Sequence, residues 1–212
     1  MTRVICCAIL GGVLIWLAGC ASFSALSGGS VPIGDIDGNV YLNTRATASA
    51  GIPVALRDAS GALLQQKVSG PDGYFFFTNV PVGIVAVIAG EGTLSGQVRF
   101  NRNPNEHARL ALTIAEVNPN VVKLKVHSAK PAEPDGSVIL EEDEEDLFTV
   151  EGEDAESQVI PNVPVSWAVI GGIGDIAPEG NFKAKKSGDG ELIVQHDGVY
   201  KSVVLHVKPK DN

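Results

Sequence analysis

The chain has 212 residues, and 16 Lys and Arg stand against 25 Asp and Glu, which gives a formal net charge of −9 at pH 7. A chain this acidic is a poor candidate for binding nucleic acid, because phosphate binding needs clusters of Lys and Arg. Its length is sufficient for two domains of about 100 residues each.

Residues 1–19 predict an export signal. Arg3 precedes an apolar run from Val4 to Leu17, and small residues lead into Cys20. The run is shorter than the ~20 residues that a transmembrane helix needs, so a spanning anchor is the less favoured alternative. The tetrapeptide Leu-Ala-Gly-Cys that ends at Cys20 resembles the lipobox of bacterial lipoproteins. The resemblance implies that residues 1–19 are removed, that Cys20 is acylated, and that the lipid holds the protein on a membrane.

The residues around the predicted cleavage site indicate a location. Ala21, rather than Asp, follows the cysteine, and by the same resemblance this favours the outer membrane of a bacterial envelope. Cys6 and Cys7 lie in the removed signal, so the mature protein is expected to have no disulfide. Residues 20–34 are rich in Gly and Ser and predict a flexible, lipidated tether.

Residues 35–116 predict a first β-sandwich. Short apolar segments alternate with turns that contain Gly, Pro and Asp, and there is no helical period. Asp35 to Asn39 lacks the spacing of a calcium loop and is interpreted as the turn that starts the first strand. The seven predicted strands are 38–42, 53–57, 63–69, 74–79, 84–89, 94–100 and 108–114.

Three motifs in this region resemble a known family. Gly-Asn-Val-Tyr begins at Gly38, Gly-Ile-Pro-Val begins at Gly51, and Asp-Gly-Tyr-Phe-Phe-Phe begins at Asp72 and is followed by Val-Pro-Val-Gly. Their order is similar to that of the carboxypeptidase regulatory-like domain, a small transthyretin-like β-sandwich. The resemblance implies an attachment or interaction module without catalytic residues.

Four consecutive aromatic residues form the candidate binding surface of this domain. Because successive side chains of a strand point to opposite faces, two of the four should face the core and two should face outward. The outward pair could contact a sugar or a partner protein; the alternative is that it packs beneath a loop. The four residues are Tyr74, Phe75, Phe76 and Phe77.

A cluster of Asn and Pro at residues 117–120 predicts a domain boundary, and residues 119–210 predict a second β-sandwich. Val-Ser-Trp-Ala-Val around Trp167, Gly-Asn-Phe-Lys-Ala from Gly180, and Gly-Asp-Gly-Glu-Leu-Ile-Val from Gly188 resemble bacterial Ig-like domains. The fold class expected for the whole chain is therefore all-β, with two sandwiches in tandem that fold independently. Trp167 lies between apolar residues at period two and is predicted to be a core residue.

Six consecutive acidic residues precede this Ig-like pattern. Carboxylates are ligands for hard cations, so a calcium site is one interpretation. Contiguous acids lack the spacing that wraps one ion, so a solvated loop that protects a sheet edge is favoured. The weak metal candidates are Glu141, Glu142, Asp143, Glu144, Glu145 and Asp146.

No sequence pattern of a catalytic site is present: the chain has no Gly-x-Ser-x-Gly, Walker A or His-Glu-x-x-His motif. His107, His127, His196 and His206 are interpreted as surface strand positions rather than metal ligands, although His196 and His206 could approach each other across the last hairpin. We expect no cofactor and no enzymatic activity. The expected function is a structural or protein-interaction module with a protein partner in the envelope; the alternative is a carbohydrate- or peptidoglycan-binding module.

Overall fold

The computed structural model describes residues 33–42 and 47–210. The export signal, the lipidation site Cys20 and the tether up to Pro32 lie outside the described residues, so they stay predictions. The described chain is all-β, as the sequence predicts. No helix among these residues is long and apolar enough to cross a membrane.

The described residues form seventeen strands. Most are short and end at turns that contain Gly, Asn or Asp, several of which have a positive φ. The strands are β1 (Ile33–Leu42), β2 (Thr47–Ala48), β3 (Pro53–Asp58), β4 (Leu63–Val68), β5 (Tyr74–Pro81), β6 (Gly83–Glu91), β7 (Leu94–Arg102), β8 (Ala108–Ile114), β9 (Lys123–Ser128), β10 (Val138–Glu141), β11 (Glu145–Glu153), β12 (Val159–Ile160), β13 (Ser166–Ile170), β14 (Gly174–Ile176), β15 (Asn181–Ala184), β16 (Gly188–His196) and β17 (Val199–Lys208).

The largest sheet has eight strands and contains segments from both halves of the chain. Its order is β10-β17-β16-β13-β8-β1, and the far edge of β1 pairs with β5 and then with β2. β1 runs parallel to β8, and β10 runs parallel to β17. The other pairs are antiparallel.

Two smaller sheets complete the described fold. The first has the order β4-β3-β6-β7 and is antiparallel throughout. The second has the order β12-β11-β15-β14, and β9 also pairs with β11.

The large sheet is the middle layer of three, with one hydrophobic core on each face. Ala168 and Ile170 of β13 belong to the core beneath the first small sheet, whereas Trp167 and Val169 belong to the core beneath the second. Side chains alternate between faces along a strand, so a strand buried on both faces must be apolar at almost every position. β13, with all five residues buried, meets this condition.

The predicted boundary at residues 117–120 lies between β8 and β9, but the large sheet continues across it. β8 pairs with β13 through Ala111↔Trp167 and Leu110↔Ala168. The domain bounds therefore stay a prediction, whereas the expectation that the two halves fold independently is revised. Separating them would expose the β8 edge together with the apolar residues that the shared sheet buries, and the described residues belong to one compact unit.

The predicted strands of the first half are confirmed, with one correction at their start. β1 begins at Ile33, so Asp35 to Asn39 lie inside a strand and do not form a turn, and the tether prediction is two residues too long. Asp37 and Asn39 suit this strand because their side chains contact Arg109 of β8. The parallel pairing of β1 with β8 brings these groups together, although they are about 70 residues apart in sequence.

Candidate functional site

The four aromatic residues of β5 alternate between core and surface as predicted. Phe75 and Phe77 are buried in the first core, with ring centroids 5.8 Å apart. Tyr74 and Phe76 point outward and are 40% and 39% exposed. The candidate binding surface is therefore reduced from four residues to this pair.

Strand register places the outward pair beside polar residues of β1 and β8. Tyr74 lies opposite Asn39, and Phe76 lies opposite Asp37. Asp37 is in turn the register partner of Arg109. We name this surface the β1 face, and it consists of Asp37, Asn39, Tyr74, Phe76, His107 and Arg109.

Arg109 is the centre of the polar contacts on the β1 face. One guanidinium nitrogen donates to Asp37 Oδ2 at 2.5 Å, and another donates to Asn39 Oδ1 at 2.7 Å. Its Nε lies 3.8 Å from Asp175 Oδ1 of β14, so the edge of the second small sheet reaches the cluster. His107 Nε2 lies 2.9 Å from the other Asp37 oxygen, Oδ1.

These contacts shift the protonation equilibria of the cluster. Burial alone would raise the pKa of Asp37, but the hydrogen bond from His107 and the charge of Arg109 outweigh it, so the pKa lies below its usual value. The hydrogen bond to Asp37 raises the pKa of His107, against the opposing effect of burial. Burial, followed by the charge of Asp37, raises the pKa of Tyr74.

The geometry of the β1 face suits recognition better than proton transfer. A carboxylate with a lowered pKa is a weak base, and both oxygens of Asp37 are already in contact with a basic side chain, His107 or Arg109. The polar groups contact one another and so orient one another's side chains. Tyr74 and Phe76 then provide exposed aromatic area beside fixed charges, a combination that is common in interfaces.

The acidic run forms the end of β10, a short turn, and the start of β11. Three of its carboxylates contact lysines: Glu144 contacts Lys130, Glu145 Oε1 lies 3.0 Å from Lys183, and Asp143 Oδ2 lies 3.3 Å from Lys210. These acids are therefore paired with lysines and do not simply repel one another, although Asp143 and Glu145 stay exposed to solvent as the sequence predicts.

Two further acids of the run accept hydrogen bonds from the protein itself. Glu142 accepts from the Ser187 backbone N–H at 2.7 Å, and the buried Asp146 accepts from Ser128 Oγ at 2.5 Å. Their oxygens point to different neighbours and do not converge on one point. Among the described residues, no group of three or more His, Cys, Asp or Glu side chains could hold a metal ion.

Two predictions about the histidines are wrong. His196 is buried, with Nδ1 2.7 Å from Pro164 O and Nε2 accepting from the Asn118 N–H at 3.1 Å, so it fastens the β8–β9 connection to β16. His206 pairs with Asp189 at the opposite end of the hairpin, so the two histidines do not approach each other.

Sequence reasoning missed His107 and Arg109 as members of a site. The available signal was a single charged residue, Arg109, in the otherwise uncharged and largely apolar strand Ala108–Ile114, since a charge in such a strand needs a partner. The sequence does not identify Asp37 as the partner of Arg109, because β1 and β8 are far apart in sequence.

Comparisons with known proteins gave distant structural likenesses. No protein-family model and no curated protein matches the chain. Similar solved structures include 5-hydroxyisourate hydrolase of Klebsiella pneumoniae, with 17% identity over 39% of this chain and 91% of that chain and a TM-score of 0.30. The major pilin subunit BcpA of Bacillus cereus has 8% identity over 84% of this chain and 69% of that chain, with a TM-score of 0.35. The D0–D1 domain of intimin has 13% identity over 81% of this chain and 97% of that chain, with a TM-score of 0.28.

Identities and TM-scores this low carry no functional argument, so the function is argued from the residues of this chain. The resemblances to the carboxypeptidase regulatory-like and bacterial Ig-like families stay predictions from sequence motifs.

Proposed function

We propose that the chain is a non-catalytic, lipid-anchored protein of the bacterial envelope that acts as a structural or protein-interaction module. The lipobox-like ending at Cys20 supports the anchor, and Ala21 supports the outer membrane. The β1 face is the surface that contacts a protein partner.

One observation carries the interaction role: an exposed aromatic pair lies beside a polar cluster whose groups are paired with one another. Tyr74 and Phe76 are on edge strand β5, where a partner can approach without displacing another strand of the sheet. Aromatic residues and Arg are enriched where protein interfaces carry their binding energy. Because Asp37 is held by His107 and Arg109, the cluster is preorganised for contact.

Site-specific photo-crosslinking in intact cells tests this role. A photoreactive amino acid at Phe76 should give a discrete crosslinked protein, and the product should be lost when Tyr74→Ser is added. The matched control places the same amino acid at Lys186, an exposed loop residue outside the β1 face. Identical products from both positions, or none from Phe76, would contradict the proposal.

Substitution of the lipidation site tests the anchor. Cys20→Ala should prevent acylation, and the protein should then leave the membrane fraction because stable anchoring needs the acyl chains. Incorporation of a labelled fatty acid and detergent partitioning measure both effects. A variant that still takes up label and partitions like the parent would place the anchor elsewhere.

A carbohydrate- or peptidoglycan-binding module is the second candidate. Aromatic rings next to Asp, Asn and Arg also suit a sugar, and the β1 face has all of these. The position of the pair on the open face of an edge strand, rather than in an enclosed groove, favours the protein partner. Co-sedimentation with purified peptidoglycan that is lost in Tyr74→Ser would reverse this preference.

A further inference from the structure

The first small sheet covers only part of the large sheet. At the end formed by β16 and β17, the face of the large sheet that carries the first core is left uncovered. Ile193 of β16 packs into that core, and its register partner Ser202 lies on β17. Beyond them, Tyr200 is 69% exposed although it lies within a strand. The first small sheet therefore stops before it covers β17.

A groove of about 790 Å³ runs where the first small sheet meets this uncovered end. Ile84 and Ile88 of β6 lie on one side, and Ile193 and Tyr200 lie on the other. The two sheets are joined at the groove, where Gln195 Oε1 of β16 accepts a hydrogen bond from the Arg99 N–H of β7 at 2.8 Å. This bond also satisfies one N–H on the free edge of β7.

Two arginines lie on one row of the outward face of the first small sheet. Arg57 of β3 pairs with Ala86 of β6, and Ala86 pairs with Arg99 of β7. Two strand spacings separate the arginines, or about 9.5 Å between their backbones. The small side chain of Ala86 leaves room between them, and both arginines line the groove.

These are the available arginines among the four that the structure describes. Arg102 is buried, and Arg109 is held by Asp37 and Asn39. Arg99 is exposed. Arg57 donates one bond to Gly61 O at 2.8 Å and keeps further donors, because a guanidinium has five.

Two acids also line the groove. Asp58 caps its own turn, because its Oδ1 accepts from the Ser60 and Ala62 backbone N–H groups at 2.8 and 3.0 Å, and the carboxylate keeps its negative charge. Glu191 lies on the β16 side of the groove, across from the arginine row. The two arginines and the two acids balance in formal charge, but the arginines share one row of the sheet face, whereas Glu191 lies on the β16 side of the groove.

We propose that this groove binds an extended peptide segment in which carboxylate and aliphatic side chains alternate. The planar forks of Arg57 and Arg99 match carboxylates in a bidentate way. Ile84 and Ile88 flank the arginine row and give aliphatic side chains an apolar surface. A peptide is favoured over a sugar because branched aliphatic residues outnumber aromatic rings in the groove, where Tyr200 is the exposed ring. The site lies on different strands from Tyr74 and Phe76, so it does not depend on the β1 face.

Fluorescence anisotropy with defined peptides tests the proposal. The probe is a fluorescein-labelled Gly-Glu-Val-Glu-Val-Glu-Gly peptide, and matched peptides carry Gln or Lys in place of Glu. The Glu peptide should bind the mature protein more tightly than the Gln peptide, and the Lys peptide should bind least. The double variant Arg57→Gln/Arg99→Gln should weaken binding by about tenfold or more, because two charge-assisted contacts are lost.

The control variant Lys186→Gln removes a positive charge outside the groove and should change the affinity by less than about twofold, since exposed charges farther than a Debye length are screened. Circular dichroism of each variant checks that the fold is retained. Equal binding of the Glu and Gln peptides, unchanged binding by the folded double variant, or no binding would overturn the proposal. Displacement of the peptide by polygalacturonate at lower concentration would assign the groove to an acidic sugar instead.

Discussion

Trp167 shows how one side chain stabilises the second core. It is fully buried on β13, and its Nε1 donates to Pro178 O at 3.2 Å. Gly180 lies against the ring with a φ of +93°, and a Cβ at that position would be 2.0 Å from Phe148 O. The indole therefore occupies a site that neighbouring backbone has shaped closely around it.

We predict that Trp167→Ala lowers the free energy of unfolding by about 3–5 kcal/mol, because it empties a large buried site. Chemical denaturation of the mature protein measures the loss, and Trp167→Phe should cost clearly less. Trp167 is the one tryptophan after the predicted cleavage site, so the native emission spectrum is a second check. An emission maximum typical of full exposure would show that the assignment is wrong.

The pair of Asp37 and His107 should make stability depend on pH in a defined window. His107 has a raised pKa in the folded state, so its contribution is complete below the unfolded value of about 6.5 and is lost as pH rises through the folded pKa. Asp37 has a lowered pKa, so its contribution is present above the unfolded value of about 3.9 and is lost as pH falls through the folded pKa.

The contact between Asp37 and His107 should therefore stabilise the folded state most at pH values between the pKa of Asp37 and the pKa of His107. We predict that the difference in unfolding free energy between the parent and His107→Gln is largest near pH 5–6 and shrinks above pH 7. Urea denaturation at a series of pH values measures it. A difference that is constant from pH 5 to pH 9 would show that the contact contributes nothing as an ion pair.

The acidic turn between β10 and β11 is held to neighbouring segments by contacts between its carboxylates and lysines. Lysines from the β9–β10 loop, from β15 and from the chain after β17 each contact one of its acids. The hydrogen bond from Lys130, followed by the bond from the Glu141 N–H, lowers the pKa of Glu144. The turn thereby contacts three other segments of the second half.

We predict that calcium, magnesium and sodium chlorides at matched ionic strength give the same melting temperature within error. Five of the six carboxylates already have a partner, so salt should slightly weaken this turn by screening instead of relieving repulsion. Thermal melts of the parent and of Lys130→Gln measure the effect. A saturable rise specific to calcium at millimolar concentration would establish an ion site at Glu141 to Asp146.

Local signals made the strands predictable, whereas their long-range pairing was not. The bounds of β8 match those predicted, because turn residues and apolar runs mark strand ends within a few residues of sequence. The parallel pairing of β1 with β8 and the pairing of β8 with β13 depend on packing between distant segments. The contact of Arg109 with Asp37 and the burial of His196 also depend on distant segments, so the sequence did not predict them.

At the scale of the whole molecule, the shared sheet is the feature that decides how the chain behaves. β8 comes from the first predicted sandwich, β13 comes from the second, and each contributes residues to both cores. The layers overlap only in part, which leaves two open surfaces on different strands: the β1 face, and the groove lined by Ile84 and Ile88 of β6 and Tyr200 of β17. Two open surfaces on one compact unit support the interaction role that we propose.

Differential scanning calorimetry of the mature protein is the most direct test of the shared sheet. We predict one unfolding transition whose calorimetric and van't Hoff enthalpies agree, and Trp167→Ala should shift the whole transition to lower temperature. Residues 33–116 produced alone should show no sharp transition, because β8 then loses its pairing with β13. Two separate transitions in the intact protein, of which Trp167→Ala shifts only one, would contradict the account.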